Sequence, residues 1–355
     1  MIWLTWRQAR VSAVATAGAL VVLAVFLGLT GPGLADEYAT GIAACTREGG
    51  DCSDFVDRFF REKGVAALGV TAILWAAPAL IGIFWGAPLI ARELETGTHR
   101  LVWNQSVTRT RWLAVKLGLL GLGVVAAVGL GSFAVDWWSD PIDKAAHADD
   151  VPRLEPLLFA GRGIVPIAYA VFAFALGATA GMLVRRTVPA MAITLAVFVA
   201  LQFAMPTLVR PHLSAPVRST FDFTGATLGG ISFDPQHVVR VDPSDPIRGA
   251  WILSSRTVDS SGNAVETIGP HPTLSPDSGA CAPPPPDSGP PPDLDKPDAL
   301  GPCAAEVTRL GYRLQVTYHP GDRFWRFQFY ESAIYLALAF GLAGFCLWWL
   351  RHRLS

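Results

Sequence analysis

Covalent chemistry in this 355-residue chain rests with five cysteines. Cys45 and Cys52 lie close together, Cys281 and Cys303 bracket a proline-rich tract, and Cys346 sits inside an apolar run. On an oxidising face the first four would form two disulfides, most simply Cys45–Cys52 and Cys281–Cys303. Three connectivities are open to four cysteines, and free thiols are a further alternative. A metal site is not expected, since there is no CxxC and the seven histidines lack ligand spacing. GxxxxGK[ST], HExxH, GxSxG and a GxGxxG opening a helix are all absent. The chain therefore has no phosphate-cradling loop, no catalytic residues to name and no expected cofactor of its own. The acids scattered beside Pro and Gly read as solvated turn residues.

The other chemistry-bearing stretch is Phe84–Lys116, FWGAPLIARELETGTHRLVWNQSVTRTRWLAVK, where charge is dense. Here an apolar run passes straight into a charged helix, breaks at Gly97-Thr98 and restarts before Arg109. Thr108 is placed to cap that restart.

The elements that hold these residues are membrane spans. Hydrophobic residues make up 51% of the chain and charged ones only 16%, with mean hydropathy +0.37. Soluble domains carry about 25% charged residues, so a soluble enzyme is excluded as the main reading. A net charge of −1 gives no field for nucleic acid, which is not an expected partner. Six runs reach the roughly 20 apolar residues needed to cross a bilayer: 11–30, 64–91, 113–135, 164–184, 188–206 and 332–350. Only Lys116 among Asp, Glu, Lys and Arg falls inside them. Such side chains cost about 2.5–3.5 kcal/mol each at a helix centre.

Short connections set the orientation. Arg7, Arg10, Arg92, Arg100, Arg109, Arg111, Lys116, Arg185, Arg186, Arg351 and Arg353 share one side with only two acids, Glu93 and Glu95. Both termini are then cytoplasmic. Arg7 and Arg10 before an apolar run also fit a signal peptide, but that run is longer than the usual 7–15 residues. The expected fold is an all-α polytopic membrane protein of six helices, with a mixed, partly β extracytoplasmic domain between the fifth and sixth. Residues 1–206 form the membrane domain with spans one to five and a cytoplasmic loop over 92–112. Residues 207–331 form the outer domain, with a proline-rich spacer at 282–293, and 332–355 hold the last span and tail. Strand-like pieces lie at 230–233, 237–241 and 250–253. The connections 31–63 and 136–163 are expected as outer loops. Ala173, Gly177 and Gly181 make a small-residue ladder for close helix packing, within the chain or between copies. Pro78, Gly82, Gly86 and Pro88 should bend the second span. The spans lack buried acids, so proton relays are not expected.

The sequence resembles the membrane subunit of ABC exporters, the ABC type-2 permease family, in the form common in actinobacteria. TWRQAR (5–10), LIARELETGTHRL (89–101), QSVTRTRWLAVK (105–116) and VTYHPGDRFWRFQFYE (316–331) carry the likeness, with the six-span order. The resemblance implies that Arg92, Glu93, Glu95, Gly97, Thr98, Arg100 and Arg109 form a coupling loop docking on a separate ATP-binding subunit. ATP and Mg would be bound there and not by this chain. It also implies a second permease subunit, a homodimer by preference, in a bacterial plasma membrane. Membrane lipid is the remaining partner, and the cargo would be an amphipathic or lipid-like compound moved outward. The rival reading is an ATP-independent sensor, binding or scaffold protein acting through its outer domain.

Overall fold

The computed structural model describes residues 2–47, 49, 52–97, 108–148, 152–234, 238–244, 246–247, 249–275, 279–282 and 300–352. The chain divides into two compact units, residues 1–213 with 322–355, and Ser214–Gly321.

The first unit is helical. Helix α1 runs Ile2–Arg47 and α2 runs Ser53–Ile81; a π turn over Gly82–Gly86 leads into α3, Ala87–Glu95. Helix α4 is Arg109–Ala148, the short α5 is Pro156–Ala160, α6 is Val165–Val184 and α7 is Thr187–Ala204. A second π turn, Met205–Val209, and a 3₁₀ turn, Arg210–His212, extend α7. After the second unit the chain returns as Phe324–His352, which is a single helix. Six of these helical stretches are long and apolar enough to cross a membrane.

The helices outrun the apolar runs. At 1.5 Å per residue α1 is about 69 Å long, more than twice the hydrocarbon core of about 30 Å. Residues 31–47, expected as loop, continue α1 straight through Pro32, and α2 begins at Ser53. The connection expected over 31–63 is therefore a helical hairpin. Side-chain contacts close it: Cys45 bonds to Cys52, Lys63 Nζ lies 3.0 Å from Glu37 Oε2, and Tyr38 packs on Phe55 and Phe59. The loop expected over 136–163 is likewise helical through Ala148. Trp138 turns inward and donates from Nε1 to Thr30 Oγ1 at 2.8 Å.

Helix α6 lies at the centre, most of its side chains being buried. Its small residues are the reason it can. Gly177 faces Gly82 and Ala87, Gly181 faces Ala87 and Ala91, and Ala173 faces Gly82. The ladder thus packs against the π turn and α3 of the same chain, backbone to backbone.

The second unit contains strands β1 (Val217–Phe221), β2 (Leu228–Phe233), β3 (Val239–Pro243) and β4 (Trp251–Val258). Helix α8 (Gly301–Arg309) and strand β5 (Arg313–His319) follow. Strand β5 pairs antiparallel with β1 on one side and β4 on the other, while β2 and β3 form a separate hairpin ladder. Leu314 and Val316 alternate inward from β5 and meet Val307 of α8, Val239, Ile268 and Leu274 in one core. Cys281–Cys303 fastens α8 across the proline-rich spacer, whose residues 283–293 lie outside the described residues. Closing a loop of 22 residues is worth about 3 kcal/mol in the chain-entropy account. A Cys281→Ser, Cys303→Ser double variant is accordingly expected to lose the protease resistance of this unit at lower temperature than wild type, read by limited proteolysis of the full chain. On α8, hydrogen bonds from Arg309 and Thr273 hold the Glu306 carboxyl at about 2. Its contribution is complete above the ordinary glutamate value of about 4.3 and is lost as pH falls through the folded value.

Candidate functional site

The charged connection after the second span is built by the end of α3. Helix α3 stops because Gly97 takes φ +70°, a left-handed geometry that a Cβ resists. Thr98, Arg100 and the rest of 98–107 lie outside the described residues. The chain resumes at Thr108, whose Oγ1 accepts from Arg111 N at 3.4 Å as α4 starts.

The described charged residues of the predicted loop take distinct places. Arg92 is exposed on α3, and Arg109 is exposed at the first turn of α4. Glu93 is not exposed: it turns inward and forms an ion pair with Lys116 of α4, both side chains being buried. Lys116 Nζ also stands 4.7 Å from the centre of the Trp112 ring. That solves the problem posed by a lysine in an apolar run, since a buried charge is tolerated when paired. Glu95 reaches sideways to α7. Its carboxylate accepts from Thr187 N at 3.1 Å and from Thr187 Oγ1 at 2.8 Å. A carboxylate at a helix N-terminus satisfies orphan N–H groups and favours the dipole. The two acids read from the sequence as a docking surface thus grip the neighbouring spans.

Packing completes the grip. Ile90 of α3 shares an apolar cluster with Trp112 and Leu113 of α4, Ala178 and Met182 of α6, and Cys346 and Leu350 of the last helix, hereafter α9 (Phe324–His352). Helix α3 is therefore fixed to four spans through one ion pair, one cap, one small-residue contact and one apolar cluster. A displacement applied to α3 must move them with it. Among the described residues no group of His, Cys, Asp and Glu is arranged to hold a metal.

A second polar cluster joins the other ends of α6, α7 and α9, and sequence reasoning missed it. Arg210, just past α7, binds Glu331 of α9 twice, Nε to Oε2 at 2.8 Å and Nη2 to Oε1 at 3.1 Å. Tyr169 of α6 donates its hydroxyl to Glu331 Oε1. The guanidinium also lies 4.0 Å from the centre of the Phe159 ring. Arg210 and Glu331 are 1% and 0% exposed, so the expectation that the spans lack buried acids is corrected. Both residues fall just outside the apolar runs 188–206 and 332–350, which hid them. The available signal was one arginine and one acid flanking successive runs.

One turn earlier on α9, Gln328 uses its whole amide. Its Oε1 accepts from Ile164 N and Val165 N at 3.1 and 2.9 Å, capping α6. Its Nε2 donates to the carbonyls of Phe159 and Arg162. Nearby, Asp136 Oδ2 accepts from Gly163 N and Asp143 pairs with Arg162. The turn leading into α6 is held from α4 and α9 together.

A family model described as ABC-2 membrane transporter related matches residues 17–210. No curated protein and no solved structure matches the chain.

Proposed function

Since the chain belongs to the ABC-2 membrane transporter related family, we propose that it is the permease subunit of an ATP-driven exporter whose ATP-binding subunits are separate polypeptides. The chain is a multi-pass membrane protein. Each of two copies would offer one α3 to one ATP-binding subunit, and closure of those subunits would drive the two bundles between inward-facing and outward-facing states. Both termini would be cytoplasmic in a bacterial cell membrane, which places the Arg-rich connections inside and both disulfides on an oxidising face. The cargo on this reading is an amphipathic or lipid-like compound.

The observation that carries the reading is the bracing of α3. A docking element must present a free surface to its partner and a rigid attachment to its own bundle. Arg92 supplies the first, while Glu93 and Glu95 supply the second. Docking and transmission therefore separate by residue, and the experiment uses that. With the full-length chain and a candidate ATP-binding subunit co-expressed, Arg92→Glu is expected to reduce co-purification at least tenfold. Glu95→Gln is expected to leave the complex intact but to lower the ATPase stimulation given by the permease. No complex with wild type in any mild detergent would overturn the exporter in favour of a sensor or scaffold.

A further inference from the structure

A groove of about 1030 Å³ runs between α1, α2 and α4, walled by side chains such as Leu20, Leu23, Val70, Ile73 and Leu74. On α1 its lining runs from Val11 to Phe26, about 22 Å along the axis and most of the hydrocarbon thickness. All of that wall belongs to apolar stretches of membrane spans, so the medium that meets it is lipid hydrocarbon. Chain-like apolar molecules are what such a medium supplies.

The groove does not end in hydrocarbon. Phe26 and Ala66 line both it and a second recess of about 390 Å³, whose wall includes Thr30, Trp138, Glu37 and Lys63. Glu37 and Lys63 face each other at 3.0 Å with side chains 46% and 32% exposed, so both charges are reachable. Trp138 and Thr30 are hydrogen-bonded to each other beneath them. An apolar slot opening onto one cation and one anion matches a molecule with a hydrocarbon tail and a head bearing both signs.

We propose that this composite site binds a zwitterionic amphiphile drawn from the bilayer, tail along α1 and α2 and head at Glu37 and Lys63, an anionic head group lying on the lysine and an ammonium on the glutamate. The binding stands on the groove alone; the amphiphile's role as cargo rests on the exporter reading above.

The test is photolabelling of the full-length chain in phosphatidylglycerol vesicles doped with a phosphatidylethanolamine carrying a diazirine in its acyl tail. Gly69 lines the groove, and a Cβ built there meets nothing within 4 Å. Gly69→Trp fills the slot, and Gly69→Leu is a smaller filler if the first does not fold. Label mapped by peptide mass spectrometry is expected on α1 and α2 at the groove, and to fall at least fivefold in the filled variant. Label on the exposed face of α7 near Val197 and Phe203 reports bulk lipid and is expected to stay constant. A Glu37→Gln, Lys63→Gln variant is expected to keep tail labelling in pure form but to lose the preference for phosphatidylethanolamine over a phosphatidylglycerol probe with the same tail. Groove label no denser than that on α7, or unmoved by filling, overturns the site and identifies ordinary boundary lipid. Equal labelling by both head groups in wild type overturns the assignment of the head. Co-purification with the ATP-binding subunit, measured on the same preparations, separates the two ideas: a lost site with an intact complex leaves the exporter standing, and a labelled groove without a complex leaves the site standing.

Discussion

Gly177→Ala is expected to deplete the folded protein in the membrane, with a cost of about 3 kcal/mol or more. A Cβ at this position would lie 2.3 Å from Gly82 O, 2.7 Å from Ala87 N and 3.0 Å from Gly86 C. Every one of those atoms is backbone, so no side chain can rotate away. Comfortable carbon contacts need about 3.5–4.0 Å, so α6 and the π turn must part by more than an ångström. The loss spreads along the seam, because Gly181 and Gly86 make equally close approaches to Ala87 O and Phe174 O. Between membrane helices no hydrophobic effect compensates for lost contact, since lipid tails are as apolar as leucine. Natural stabilities of about 5–15 kcal/mol leave little reserve for such a loss. The control is Gly118→Ala in α4, where a Cβ meets nothing within 4 Å and helix propensity improves. Yield of monodisperse protein and its unfolding temperature should drop for Gly177→Ala and hold or rise for Gly118→Ala. Equal behaviour of the pair would remove the seam from the account of how α3 is held.

The contrast between the seam and the rest of the bundle shows what a sequence makes legible. A charge-free run of about 20 residues is a direct physical statement about solvent, and six such runs correspond to six membrane-length helices. Where a helix ends is a weaker statement. Residues 31–47 contain polar side chains but no obligatory turn, so α1 passes through them. Neighbouring cysteines can reach each other with little freedom to do otherwise, and Cys45–Cys52 formed as locality suggests. The seam was half legible: Gly177 and Gly181 advertise a close contact, but their partners Gly82 and Gly86 read only as a bend in the second span. Their π turn and the approach of α6 are one feature. Charge partners at long range were illegible. Glu93 reads as a docking-loop acid until α4 brings Lys116 against it, and Glu95 as another until Thr187 arrives. In each case the charge is correctly seen and its direction is not, because direction belongs to the packing of helices far apart in the chain.

The same limit applied to the pair with the second large expected effect. Glu331→Ala would remove the carboxylate that neutralises the Arg210 guanidinium where it is 1% exposed, at a cost of about 3–5 kcal/mol. It would also strip Tyr169 of its acceptor, and hydrogen bonds to charged groups are worth about 1.5–3 kcal/mol. Arg210→Met is expected to cost about as much as Glu331→Ala, for it strands the carboxylate instead. Replacing both, Arg210→Met with Glu331→Leu, should restore most of the loss, because desolvating two ions offsets much of what their attraction returns. That pattern, two damaging single variants and a mild double, distinguishes a paired charge from two separately necessary ones. The pair's position makes the outcome matter for more than stability. Arg210 ends the chain's path out of α7 and Glu331 lies on its return in α9, so the ion pair fastens to α6 both connections of the inserted segment 214–321. Unfolding temperatures of wild type, Arg210→Met, Glu331→Leu and the double variant in one detergent provide the cycle. If the double variant is as unstable as the sum of the singles, Arg210 and Glu331 do their work through other neighbours, and the cluster at this end of α6 is not a clasp.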